Sequence, residues 1–485
     1  MAERYHNFIE GEWVPALDGQ VQEDRSPADR DRVVAEVPRS SGADVSRAVE
    51  AARRALAGWS RTSPVGRGEI LYRAAAIVRS RAESIARLLS LEEGKPIGES
   101  RAEVARAAQI LEYFGGEGAR LAGETLPSSR PGVFLFTVRE PLGVVGIVTP
   151  WNFPIAIPAW KLAPALVAGN TVVFKPASQA PATGLELVRA LAEAGLPPGV
   201  LNAVVGPGSV VGEALLGAEG VRAVSFTGST AVGSRLYQDA SRRGLRCQCE
   251  MGGKNPLVVL ADADLERAVE VALDGAFRSA GQRCTATSRI IVERPIAAAF
   301  VERFVERAAA LRVGDPLDEA TYVGPVVDET QMESILGYIR TGVEEGARLV
   351  LGGRRLTEGE LGRGFYVAPT VFVEARSQMT IAQEEIFGPV VAILEAADFD
   401  EAVRLANDTR YGLSASVCTR DLARAHRFIR EVEAGVVGVN VPTAGVEFQA
   451  PFGGTKASGT PFKEQGKVAV DFYSQLKTVA LRYEG

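Results

Sequence analysis

The segment SAGQRCTATSR places Cys284 just after a helix-like stretch that ends near Ser279, with small residues on both sides. Gly281 leaves room for another molecule to approach the sulfur, and a thiolate is a strong nucleophile toward a carbonyl carbon. Taken alone, such a cysteine is more often a small core residue, and Cys247, Cys249 and Cys418 keep that structural reading. Glu250, in CEMGGKNP, enters two glycines at the end of an apolar run. A carboxylate in poorly charged surroundings has a raised pKa and suits general-base work, whereas a solvated loop glutamate does not. Asn152, in TPWNFP, is stiffened by Pro150 and Pro154. A rigid amide is a good oxyanion donor because it need not reorganise, and the competing reading is a turn asparagine bonded to its own backbone.

These residues need a scaffold, and the patterning supplies one. Residues 43 to 120 carry apolar positions near a 3.6-residue period and read as helices. The tract from 125 to 145 has prolines, β-branched residues and alternation, so it reads as an extended ribbon. From Gly146 to Phe226, short apolar strands (VVGIVTP, TVVFKP, VLNAVVG, AVSFTG) alternate with amphipathic helices, which argues for a parallel sheet covered by helices. A second αβ series runs from NPLVVL to GVVGVN, and the tail VAVDFYSQLKTVALRY begins as helix and ends as strand. The fold class expected is α/β. FTGSTAVG sets Gly228 and Gly233 between a strand and a helix, the right context for a phosphate at a helix N-terminus, but without the full G-x-G-x-x-G pattern. Lys175 ends another such strand, where a cation could meet a ribose or phosphate.

Length and composition limit the function classes. A chain of 485 residues exceeds one ordinary core, so two or three domains are expected. The formal charge of -6 comes with no Lys/Arg-rich tail or basic aromatic stripe, so no nucleic-acid surface is expected. Apolar runs are broken by proline and turn residues before reaching membrane-spanning length, and no membrane association is expected. MAERYHNFIEGEWVPA lacks the charge-then-apolar pattern of a secretory signal. With four cysteines and two distant histidines, neither a disulfide scaffold nor a metal site is expected, and the cytoplasm is the expected compartment.

Seven segments, TPWNFP, VVFKPAS, FTGSTAVG, EMGGKNP, GQRCTA, EEIFGPV and PFGGTKASG, together resemble the aldehyde dehydrogenase superfamily in its own order along almost the whole chain. QCEMGGKNPLVVL, NVPTAGVEFQAPFGG and KEQGKVAVDFYSQLKTV resemble the branch acting on α-ketoglutarate semialdehyde (2,5-dioxopentanoate). The resemblance implies NAD(P)-dependent oxidation of an aldehyde, here a carboxylate-bearing semialdehyde, to the acid through a cysteine thiohemiacetal and thioester. It implies that Cys284 is the nucleophile, Asn152 and the Cys284 N–H the oxyanion site, and Glu250 the base for hydrolysis. Lys175, Gly228, Ser229, Trp151, Glu385 and Phe387 are implied for the cofactor, and Glu464 for a proton path. Ser178 stands where NAD-preferring relatives often have Glu; without that charge to repel a 2'-phosphate, use of both NADP and NAD is expected. Phe153, Trp160, Phe448 and Phe452 resemble tunnel-lining residues, and Arg283 could pair with a distal carboxylate or point away.

The same resemblance implies a Rossmann-like cofactor domain of residues 1–122, 142–250 and 441–465, and a catalytic domain of 251–440. Segments 123–141 and 466–485 would form a small β extension for oligomerisation, giving a homodimer or a tetramer built of dimers. The exposed edge of VFLFTV is a liability unless covered, which points the same way. The alternatives are a succinate-semialdehyde, glyceraldehyde-3-phosphate or general aliphatic aldehyde dehydrogenase, a CoA-acylating member, and a non-catalytic homologue. Intact Cys284, Glu250 and Asn152 weigh against the last two.

Overall fold

The computed structural model describes residues 3–483; the outermost residues of the expected terminal segments, 1–2 and 484–485, lie outside the described residues. Two seven-stranded sheets organise the chain. The first has the spatial order Arg246–Glu250, Val221–Thr227, Val144–Val148, Thr171–Lys175 and Leu201–Ala203, all parallel. Asn7–Ile9 and Glu12–Val14 extend its far edge in antiparallel fashion. No sequence expectation covers these two strands, because three residues are too few to show a period.

Strands such as Val144–Val148 and Thr171–Lys175 are apolar almost throughout because helices lie on both faces. Strand order reverses between Val144–Val148 and Val221–Thr227, and this opens a crevice at their carboxyl ends. The second sheet runs Arg348–Leu351, Thr370–Val373, Val390–Ala396, Thr287–Glu293, Asn255–Val259, Ser414–Cys418 and Val436–Val439, parallel except for its first pair. The chain therefore passes from one sheet to the other between Glu250 and Asn255. Farther along the chain, Gly459 forms an isolated bridge with Glu250 at the end of the first sheet.

A third, antiparallel sheet stands apart. Val133–Pro141 pairs over nine residues with Ser474–Arg482 and on its other side with Thr125–Leu126. Phe134, Leu476 and Leu481 on these strands are exposed. Each large sheet has its own apolar core, one built around Leu166, Phe174 and Leu191 and the other around Phe277, Phe300 and Phe372.

Candidate active site

Cys284 lies in the loop that precedes the strand Thr287–Glu293 of the second sheet, facing the carboxyl edge of the first. The helix Leu265–Phe277 ends two residues earlier than expected, and Ser279, Ala280 and Gly281 follow in the left-handed region, with φ of 51°, 52° and 68°. For Ser and Ala this costs about 1 kcal/mol each and must be held by contacts. Glu99 supplies them. It accepts from the Ser279 N–H (3.0 Å) and hydroxyl (2.7 Å), and it pairs with Arg283. Gly281 is needed for packing rather than for substrate access, since a Cβ there would collide with the Gly388 carbonyl. On the other side, the Asn255 amide donates to the Cys284 carbonyl (2.8 Å).

The loop carrying Asn152 follows Val144–Val148 and is pinned as firmly. Lys95 donates to the Asn152 carbonyl (2.6 Å) and pairs with Glu103, whose carboxylate accepts the Ile155 and Ala156 N–H groups (3.1 and 3.2 Å). Those N–H groups belong to the start of the helix Ala156–Val167, where an anion is favourable. The Asn152 amide nitrogen donates to the Gln282 carbonyl (3.0 Å), two residues before the thiol. One amide proton is thus committed to the cysteine loop and the second is free for an oxyanion. The Cys284 backbone N–H has no acceptor among the described residues.

Three carboxylates act on the thiol. Burial, and after it the charges of Glu385, Glu250 and Glu464, push the Cys284 thiol up to about 12, while the Thr285 N–H works in the opposite direction. Glu250 is buried at the end of Arg246–Glu250. One carboxylate oxygen accepts from the Gly454 N–H (3.2 Å), and the other has no partner among the described residues. Burial, then the charge of Glu464, raise Glu250 well above the ordinary carboxylate range. Gly453, at φ 146°, must be glycine because a Cβ would strike this carboxylate. Glu464 pairs with Lys161, which also donates to the Ser225 hydroxyl (2.8 Å).

Cys284 opens into a cavity of about 510 Å³ that is also lined by Phe153, Trp160, Phe452 and Arg283. Trp160 and Phe452 form one aromatic wall with ring centres 5.8 Å apart. Phe448 is not among the residues that line this cavity; its ring packs edge-on against Tyr113 of the helix Ile97–Glu117. Arg283 does line it, but its guanidinium is taken by Glu99. Lys95, Glu99 and Glu103 were not singled out from the sequence. A charged residue inside the apolar stripe Val104, Ala107, Leu111 of the helix Ile97–Glu117 was the available signal for Glu103.

Of the residues expected at a cofactor, Trp151, Lys175, Ser178, Gly228 and Ser229 lie at or after the carboxyl ends of first-sheet strands, and Glu385 and Phe387 precede the second-sheet strand Val390–Ala396. Lys175 is buried, donates among the described residues only to the Pro176 carbonyl (2.8 Å), and is brought down to about 8 by burial. Ser178 donates to the Gly206 carbonyl (3.0 Å). Gly228 follows the strand Val221–Thr227, and Ser229 caps the helix Thr230–Arg242 by accepting from the Val232 N–H. Beside that helix, Val148, Phe226, Val232 and Leu236 line a cavity of about 550 Å³. Trp151 and Phe387 meet edge to face, 5.3 Å between centres, across the gap between the two sheets. Glu385 accepts from the Gly253 N–H (3.0 Å) and is pushed up to about 7 by burial. Cys247 and Cys249 are buried neighbours on the strand Arg246–Glu250, and Cys418 is buried in the second sheet. No group of three or more metal-ligating side chains occurs among the described residues, and none of their helices is long and apolar enough to cross a membrane.

Residues 13–479 match the family model described as "Aldehyde dehydrogenase family". The chain is 48% identical to the alpha-ketoglutaric semialdehyde dehydrogenase of Bacillus subtilis (strain 168), over 99% of this chain and 98% of that protein. It is 46% identical to the 2,5-dioxopentanoate dehydrogenase of Saccharolobus solfataricus, over 98% of each. Among solved structures, betaine aldehyde dehydrogenase from Staphylococcus aureus in complex with NAD+ superposes with a TM-score of 0.96 at 34% identity, covering 99% of this chain and 95% of that one.

Proposed function

The chain belongs to the aldehyde dehydrogenase family, and from that premise we propose that it oxidises 2,5-dioxopentanoate, or a closely similar carboxylate-bearing semialdehyde, with Cys284 as nucleophile. The observation that carries the reading is a single thiol loop that opens into the cavity, is tied to the Asn152 amide, and lies in the field of Glu250. The names of the two relatives supply the substrate class.

At neutral pH the Cys284 sulfur holds its proton, so attack on the aldehyde carbon needs a base. Glu250 suits that task, since its raised pKa narrows the gap to the thiol. The free proton of the Asn152 amide and the Cys284 N–H are the donors for the oxygen that becomes negative as the sulfur bonds to carbon. Loss of one such donor costs on the order of 3 kcal/mol in the transition state. Once the adduct has been oxidised to the thioester, Glu250 takes a proton from the water that attacks it. The sulfur then leaves and the acid is released.

The residues present fit a nicotinamide dinucleotide. Lys175 offers ammonium protons not used by the protein, Glu385 offers a carboxylate for hydroxyls, and a Cβ at Gly252 would collide with that carboxylate. When bound, the nicotinamide supplies the hydride acceptor. Neutral Ser178 beside Lys175 supports acceptance of both NADP and NAD. The cofactor domain is assigned to 1–122, 142–250 and 441–465, and the catalytic domain to 251–440. The exposed Phe134, Leu476 and Leu481 support pairing of 123–141 and 466–485 with a second copy, in a cytoplasmic dimer or dimer-of-dimers.

Initial rates with 2,5-dioxopentanoate, succinate semialdehyde and pentanal, each with NAD+ and NADP+ and with Cys284→Ala as the blank, test the reading. The acid-bearing five-carbon aldehyde should give the highest kcat/KM, and acid should form without coenzyme A. Equal rates with pentanal would reject the substrate class, and turnover by Cys284→Ala would reject the nucleophile.

A further inference from the structure

Adjacent residues 463 and 464 reach the Glu250 carboxylate by different routes. The backbone of Glu464 exchanges two hydrogen bonds with Phe452, 2.7 Å each, which lays residues 452–454 beside residues 463 and 464. The half-buried Lys463 ammonium donates to the Gly453 and Gly454 carbonyls, 2.6 Å in each case. The Gly454 N–H is in turn the donor that Glu250 accepts (3.2 Å). Lys463 thus holds the turn by its carbonyls while Glu250 takes its N–H.

Glycines bring the two side chains together. A Cβ at Gly453 would strike both the Glu250 carboxylate and the Lys463 side chain, so the two groups flank one glycine. Gly435 closes over the ammonium: a Cβ there would collide with the Gly453 carbonyl and come within 3.1 Å of Lys463 Nζ. The charges around Glu250 are of both signs. Burial and then Glu464 raise its pKa, while Lys161 and Lys463 lower it, and the Cys284 thiol lies in its field. Lys161 does not act alone, because it is paired with Glu464. Lys463 forms no ion pair among the described residues; burial lowers its pKa, and Glu250 is the acid that works against this.

We propose that Lys463 is a positioning residue for Glu250: it fixes the turn that donates to the carboxylate, and its unmatched charge favours the ionised form that acts as base. The inference rests on Glu250 being the base, as assigned above. A general base must be ionised to accept a proton, and burial opposes that. A cation held nearby by two neutral carbonyls offsets part of the burial. A direct ion pair would instead occupy the carboxylate and lower its proton affinity further. The lysine stem, confined by Gly435 and the turn, places this charge without large motion.

The test follows kcat for 2,5-dioxopentanoate with NAD+ from about pH 5 to 9 in the parent, Lys463→Met, Lys463→Gln and Lys463→Arg. The rate climbs as pH rises through the Glu250 pKa, and loss of a nearby cation raises that pKa. The acid limb should therefore move to higher pH by about 1 unit in both neutral variants, the lower end for one opposite charge at short range. At a pH on that limb kcat should fall about tenfold, with a smaller change on the plateau. Lys463→Arg keeps the charge and should leave the limb where the parent has it. Lys463→Gln retains an N–H donor for the two carbonyls, so it carries the charge test should Lys463→Met fail to fold. A fall in kcat at every pH with an unmoved limb would mean that Lys463 only holds the turn, and overturns the proposal. A limb that moves as far in Lys463→Arg as in Lys463→Met overturns it too. Glu250→Gln separates the two readings. If the acid limb persists unchanged in that variant, it belongs to another group, and the assignment of Glu250 fails together with this inference. If the limb is lost in Glu250→Gln yet stays put in the neutral Lys463 variants, only the role of Lys463 fails.

Discussion

Two glutamates near the Cys284 loop, one half-buried and one buried, are shifted in opposite directions. At the cavity mouth, burial would raise Glu99, but Arg283 and the Ser279 donors outweigh it and hold the carboxyl below its usual range. At the end of the strand Arg246–Glu250, burial and the charge of Glu464 raise Glu250 well above that range, and it has no ion-pair partner among the described residues. The mouth is built of matched charges that fix the backbone: Glu99 holds the left-handed loop before the thiol, and Lys95 with Glu103 holds the Asn152 loop. The strand end keeps a carboxylate free to exchange a proton. Pairing gives position, and the absence of pairing gives a useful pKa.

Exchanging these roles should break the contrast. Glu250→Gln removes the base, and steady-state turnover should fall by about 100- to 10,000-fold. A stopped-flow burst of reduced cofactor should slow as well, because Glu250 also takes the thiol proton; a burst of unchanged rate would confine Glu250 to deacylation. Glu464→Gln should act less severely and through Glu250. It removes a neighbouring negative charge and frees Lys161, and both changes lower the Glu250 pKa. A base works ionised, so the rate rises as pH climbs through that pKa, and the acid limb of the pH–rate profile should move to lower pH. Lys161 left buried without its partner should also cost roughly 3–5 kcal/mol of stability, read as a lower Tm. The mildest change is Glu99→Gln. It should reduce kcat/KM by about tenfold through misplacement of the thiol loop while leaving the acid limb where it is. Movement of that limb in Glu99→Gln would erase the distinction between the two glutamates.

Much of this was legible in the chain. Apolar runs such as VVGIV and TVVFK predict parallel strands, and they occur, as do the ribbon at Val133–Pro141 and the strand at Ser474–Arg482. Cys284 and Asn152 stand out because glycine or proline beside them constrains the backbone locally. The mouth was not legible: Glu99 and Arg106 sit on a helix whose charges look like an ordinary solvated face. Their partners lie far along the chain, 180 residues on for Ser279 and 340 for Val446. The direction of Phe448 was open for a related reason, since a loop aromatic can turn either way and its ring packs on Tyr113.

Residue types and periodicity, which act over a few neighbours, were enough to specify most of the elements, and seven short motifs were enough to point to the family. Whether a given charge is matched or left alone depends on which distant strand or helix is packed beside it. Burial, pKa and the state of each guanidinium in the cavity were therefore decided only when the two sheets came together, because desolvation and Coulomb energy depend on distance in space and not along the chain.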